Sequence, residues 1–189
     1  MIINVDIDNT VNDFLDVFCK YFAQVTNNSF QNIKECMTVY SISDAVKVPN
    51  DCLQTLFFNN NNFYSKLKPL AHAQHVIQQL IQEKHDVRFV TAISYEVIDS
   101  RVDFVRHYFP YINIDKSLIV TNDKNSIYAD IVVDDYENNL HNINSLCLHI
   151  LYDQPWNQGV SVSNMARCRN WEEVKVAIQR YSNHHKNNS

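Results

Sequence analysis

The chain has 189 residues, enough for one domain with a buried core and a small insertion. Hydrophobic residues make up 46% and charged residues 20%, which excludes a disordered chain. A formal net charge of −5 leaves no basic face for a nucleic acid polymer. Five cysteines, at positions 19, 36, 52, 147 and 168, form no C-x-x-C pair and read as reduced thiols of a cytoplasmic protein. No stretch approaches membrane-spanning length, and neither a secretory leader nor a membrane partner is expected.

Ile2-Ile3-Asn4-Val5 reads as a short buried strand that runs straight into Asp6-Ile7-Asp8-Asn9-Thr10. Two carboxylates spaced i, i+2 point to opposite faces of an extended chain. They can converge only if the strand ends between them and the backbone turns. Acids at a buried strand end are costly without a nearby cation, and Mg²⁺ prefers oxygen ligands. Residues 11–26 then carry Val11, Phe14, Leu15, Phe18, Phe22 and Val25 at helical spacing. The strand–helix rhythm is lost over 27–70, where short helical pieces are expected near 41–47 and 50–58.

The rhythm resumes with a helix over 72–84, a strand over 86–91, a helix over 95–108 and a strand over 117–120. Further on come a strand at 130–133, a helix at 137–144 and a strand at 146–151. A long loop follows, then a strand at 165–168 and a helix from 171 to about 181. Strands alternating with helices predict an α/β fold with a parallel sheet. The single glycine, Gly159, leaves positive-φ positions to Asn, which is abundant and runs unbroken from Asn59 to Asn62. Trp156 and Trp171 are expected to anchor the C-terminal segment. His184-His185 is read as part of a solvated tail.

Four segments carry chemistry. Asp6 and Asp8 follow the first strand, and Thr91 ends the apolar run Val87-Arg88-Phe89-Val90. Lys124 lies in a polar loop, and Asp134-Asp135 follow Ile131-Val132-Val133. In an open parallel sheet all strand C-termini face one crevice, which brings these residues together.

This ordered set resembles the haloacid dehalogenase superfamily of phosphotransferases, and within it the 5'(3')-deoxyribonucleotidase family. The matching segments are Asp6-Ile7-Asp8-Asn9-Thr10-Val11-Asn12-Asp13-Phe14, Phe89-Val90-Thr91-Ala92, and Leu118 to Lys124 leading into Ala129 to Asp135. Tyr152-Asp153-Gln154-Pro155-Trp156-Asn157 and Arg169 to Val174 complete the set, so the resemblance runs from residue 1 to about residue 176. It implies a Rossmann-like α/β core, to which residues 1–26 and 71–183 are assigned; the break in rhythm over 27–70 is read as a small helical cap, and the polar end at 184–189 as a disordered tail.

The implied activity is Mg²⁺-dependent hydrolysis of a small phosphate ester, a nucleoside monophosphate, through an aspartyl-phosphate. Asp6 would be the nucleophile. Asp8 would be the general acid and then the general base. Asp6, Asp8 (through its backbone carbonyl), Asp134 and Asp135 would form the metal site, and which of the last two binds directly is open. Thr91, the backbone of Ala92 and Lys124 would hold the phosphate. Phe14, Phe63 and Tyr64 would surround the base. A homodimer is compatible with the resemblance. The family often has arginine where Asn122 stands and glycine where Asn9 stands.

Three alternatives stand beside this one, and the last, a catalytically dead relative used for binding, is opposed by the presence of all the motif acids and Lys124. A sugar phosphate would keep the chemistry and change the ester. A non-catalytic phosphoacceptor of the receiver type also uses acids, Thr and Lys. It places its acidic pair early and a single phosphorylated Asp on a middle strand, whereas the middle strand here ends in Thr91.

Overall fold

A computed structural model describes residues 1–161 and 163–187. Its centre is a six-stranded sheet in the order β3-β2-β1-β4-β5-β6, with every neighbouring pair parallel. The strands are β1 (Ile2–Val5), β2 (Asp86–Thr91), β3 (Leu118–Val120), β4 (Ile131–Asp134), β5 (Leu148–Tyr152) and β6 (Met165–Cys168). Ile3 of β1 is paired with Val87 on one side and Ile131 on the other. The chain runs outward from β1 through β2 to β3, then crosses back to β4. The sheet therefore reverses its winding between β1 and β4, the place where open α/β sheets bind ligands.

The helices are α1 (Phe14–Thr26), α2 (Phe30–Cys36), α3 (Ile42–Val46), α4 (Asn50–Leu53), α5 (Asn61–Tyr64), α6 (Ala73–Gln82), α7 (Ile98–Tyr108), α8 (Ile114–Ser117) and α9 (Trp171–Asn187). A π-helical turn at Gln54–Phe58 continues α4. Alternate strand residues feed two cores, as the two-residue strand period requires. Ile3, Val5, Ile131, Val133 and Ile150 join the larger one with Phe18, Leu80, Phe104 and Trp171. Val132 and Leu151 join a smaller cluster with Ala129, Leu140 and Cys147.

Three expectations are corrected. The helix expected over 137–144 is a single 3₁₀ turn, Glu137–Asn139. Asn142 and Asn144 instead spend their side chains on the backbone of Ile127, Ala129 and Leu146, which competes with helical hydrogen bonding. The last helix continues through residues 184–187, expected as tail. Val174, Ile178 and Ser182 bury one stripe at i+4 spacing, and no Gly or Pro follows to break it. Asn188 and Ser189, also read as tail, lie outside the described residues. Asn holds only some of the positive-φ positions: Asn9, Asn27 and Asn164 share them with Lys47, His72 and Lys84, besides Gly159. The Asn59–Asn62 run holds none; Asn60 caps α5 by accepting from the N–H of Asn62.

Candidate active site

β1 ends where its pattern changes. Asp6 still donates its N–H to Val133 at 2.8 Å, completing the ladder to β4. The N–H groups of Val11 and Asn12 both turn back to the carbonyl of Ile7, with Asn9 at φ 61°. Ile7 is fully buried between two acids that meet different cations, Asp6 the ammonium of Lys124 and Asp8 the guanidinium of Arg101. Asp6 enters the sheet edge beside β4, and Asp8 lines the neighbouring cleft.

The sheet edge gathers Asp6, Asp134 and Asp135, all buried, each with a carboxylate oxygen within 4.8 Å of the others. Lys124, carried by a 3₁₀ turn after β3, donates to Asp6 Oδ1 at 2.5 Å and to Asp134 Oδ2 at 2.9 Å. Asp134 also accepts from the N–H of Tyr136 and from Asn139 Nδ2 at 3.0 Å each. Both its oxygens are thus committed. Asp135 differs: its Oδ2 is buried with no hydrogen-bond partner. Its backbone carbonyl is pinned by Trp156 Nε1 at 3.2 Å and Asn157 Nδ2 at 2.8 Å.

The electrostatics are those of a site short of positive charge. Burial pushes the Asp6 carboxyl up to about 7, with Lys124 opposing and Asp134 and Asp8 adding. Burial, followed by Asp6 and Asp134, holds Asp135 well above the usual carboxylate range. Burial alone would lower Lys124, but the attraction of Asp134 and Asp6 outweighs it and raises the ammonium above its usual value. Three hard oxygen donors, one of them unpartnered, fit a divalent cation of the Mg²⁺ type. Such a cation would supply the charge that Lys124 alone does not.

Thr91, at the end of β2, is fully buried with its hydroxyl unpartnered. Next to it Ala92 opens onto a cleft of about 820 Å³. Phe14, Tyr40, Phe58, Tyr64 and Trp156 form its aromatic walls. Tyr40 stacks on Tyr136 with ring centroids 3.6 Å apart and planes at 11°.

A family model described as "5' nucleotidase, deoxy (Pyrimidine), cytosolic type C protein" matches residues 1–183. The chain belongs to this 5'(3')-deoxyribonucleotidase family. A 5'(3')-deoxyribonucleotidase of Bacillus subtilis is 25% identical over 177 residues, covering 92% of this chain and 96% of that protein. One from Clostridium acetobutylicum is 22% identical, covering 94% of each. In fold, the chain is similar to a haloacid dehalogenase-like hydrolase from Xanthomonas campestris. Their TM-score is 0.60 at 7% identity, over 100% of this chain and 94% of that one.

The predicted site residues divide between the sheet edge and the cleft beside it. Asp6, Lys124, Asp134 and Asp135 converge at the β1–β4 edge, with Thr91 at the end of the neighbouring strand. Asp8, expected at the metal through its backbone carbonyl, turns its side chain away from the three carboxylates; it accepts from Arg101 Nη2 at 2.5 Å and Asn12 Nδ2 at 2.9 Å. Phe14 and Tyr64 line the cleft, but Phe63 does not. It packs edge-on behind Phe14 at 5.2 Å and against Phe57 at 6.1 Å, a core role. Trp171 anchors as expected, donating to the carbonyl of Thr10 at 2.9 Å. Trp156 packs on the same core and donates to the carbonyl of Asp135, and it also forms part of the cleft wall. Sequence reasoning missed Asn12, Tyr40, Arg101, Tyr136 and Asn139. Only Asn12 lay inside a quoted motif, and its role depends on a turn that spacing does not reveal.

Proposed function

We propose that this chain is a Mg²⁺-dependent phosphomonoesterase of the cytoplasm that hydrolyses nucleoside monophosphates, with deoxyribonucleotides preferred. The observation that carries this reading is the pairing of Asp6 with Lys124 beside an unpartnered, buried Asp135 oxygen. Asp6 and Asp135 would hold the ion directly, since Asp134 is committed to Lys124, Asn139 and Tyr136. Bound there, Mg²⁺ would offset the repulsion between the carboxylates and the phosphate dianion.

Asp6 attacks phosphorus as the bond to the ester oxygen breaks, and Asp8 gives that oxygen its proton. Water then attacks the phosphorus of the aspartyl-phosphate and passes a proton to Asp8. Inorganic phosphate leaves and the Asp6 carboxylate is regenerated. The Thr91 hydroxyl, the Ala92 N–H and the Lys124 ammonium bind phosphoryl oxygens throughout. The segment 27–70 acts as the cap, and Phe14 and Tyr64 hold the base against its face.

The test is a panel of deoxyribonucleoside, ribonucleoside and sugar monophosphates assayed with Mg²⁺ and with EDTA. Release of phosphate from deoxyribonucleotides, lost in EDTA, is expected. A clear preference for sugar phosphates would remove the nucleotidase reading and leave the chemistry. Hydrolysis undiminished by EDTA would remove the metal.

A further inference from the structure

The guanidinium of Arg101 has no role in the scheme above, yet it is the most enclosed charge near the cleft. Arg101 lies in the first turn of α7 with its side chain 0% exposed. Its Nη2 donates to Asp8 Oδ2 at 2.5 Å, while Nε and Nη1 are buried with no hydrogen-bond partner. The ring of Tyr64 lies 5.7 Å from its central carbon. Burying a guanidinium with two donors unsatisfied works against stability, and an apolar side chain of similar size would serve the core better. The placement therefore has to be explained by what Arg101 does to Asp8.

Asp8 is held at both ends. Asn12 Nδ2 donates to Oδ1 at 2.9 Å, from four residues along the same turn. Arg101 donates to Oδ2 from α7. Each carboxyl oxygen keeps a second lone pair, and the side chain remains 23% exposed on the cleft wall. We propose that Arg101 is a positioning residue. With Asn12 it clamps the Asp8 carboxyl in the one orientation from which it can reach the ester's leaving oxygen. This rests on the reading of Asp8 as general acid given above. Tyr64 lies against both the cleft and the guanidinium, so it supports the clamp from the substrate side.

The prediction turns on the leaving group. A nucleoside alkoxide needs a proton as it departs; p-nitrophenolate does not. Single-turnover rates with excess enzyme and Mg²⁺ isolate the step in which the ester bond breaks. Arg101→Met should slow that step about 10- to 100-fold on a deoxyribonucleoside monophosphate and less than about threefold on p-nitrophenyl phosphate. Substrate half-saturation should stay within about twofold. Arg101→Lys, which keeps the charge without the planar fork, should show the same selectivity at smaller size, and it serves if the Met variant fails to fold. In an Asp8→Asn background, Arg101→Met should add no further selectivity. Equal losses on both esters, or none, would overturn the positioning role while leaving the enzyme a phosphatase. A wild-type protein that releases phosphate from neither ester would instead overturn the functional reading itself.

Discussion

Two neighbouring regions are buried to the same degree and for opposite reasons. At the C-terminal edge of β1 and β4, burial encloses Asp6, Asp134 and Asp135 around Lys124 and leaves an oxygen without a partner. Across the cleft, burial packs Phe18, Phe22, Phe57 and Phe63 into one aromatic cluster with ring centroids 5.2–6.2 Å apart. The aromatic cluster gains from leaving water. The carboxylates lose by it unless a cation arrives. A region that is stable only when something binds is a site, and one that is stable without help is scaffold. Phe14 belongs to both, with one edge in the cluster and another in the cleft.

The sharpest way to break this comparison is Asp6→Asn. It should lower turnover by at least about 10³-fold with the fold intact by circular dichroism. Retained hydrolysis would rule out Asp6 as nucleophile. On the scaffold side, Phe63→Ala should destabilise by about 3–5 kcal/mol in denaturant unfolding, because it empties a packed ring site. Loss of activity in folded Phe63→Ala, without loss of stability, would return Phe63 to the base pocket.

The two regions should also respond differently to pH. A carboxylic acid whose folded pKa is raised favours the folded state while protonated. That stability is full below the unfolded value near 4 and is lost as pH rises through the folded value, about 7 for Asp6. Metal-free protein should therefore lose melting temperature between pH 4 and pH 8, with Asp135 contributing in the same direction. Mg²⁺ should restore more of it at pH 8 than at pH 5. A pH-independent response to Mg²⁺ would place the ion elsewhere. The smallest effect is that of Trp171→Phe. It leaves the buried carbonyl of Thr10 without its donor, and about 1–2 kcal/mol of stability should be lost, with the cleft unaffected.

The regular parts of the fold were legible because hydrophobic periodicity writes them directly. β2 and β6 fall at the expected residues, and α1 carries the predicted Phe14, Phe18 and Phe22 stripe. The segment from 137 to 144 was not, since its asparagines compete for backbone groups in ways that depend on tertiary neighbours. The acidic strand ends and Lys124 were legible as an ordered set because topology sends parallel strand ends to one edge. Arg101 was not: it sits on a helix with ordinary spacing, and only the fold brings it to Asp8, 93 residues earlier. Nor did sequence distinguish Asp134 from Asp135. The difference lies in Lys124, the N–H of Tyr136 and the amide of Asn139, which the fold brings to Asp134 and not to Asp135 Oδ2.

The most direct test of the central claim is intact-mass and peptide analysis after rapid acid quench of the enzyme turning over a deoxyribonucleoside monophosphate with Mg²⁺. A phosphoryl adduct on the N-terminal peptide is expected, mapping to Asp6 and absent from Asp6→Asn. Steady hydrolysis with no adduct trapped at any quench time, or an adduct on another residue, would contradict the central claim.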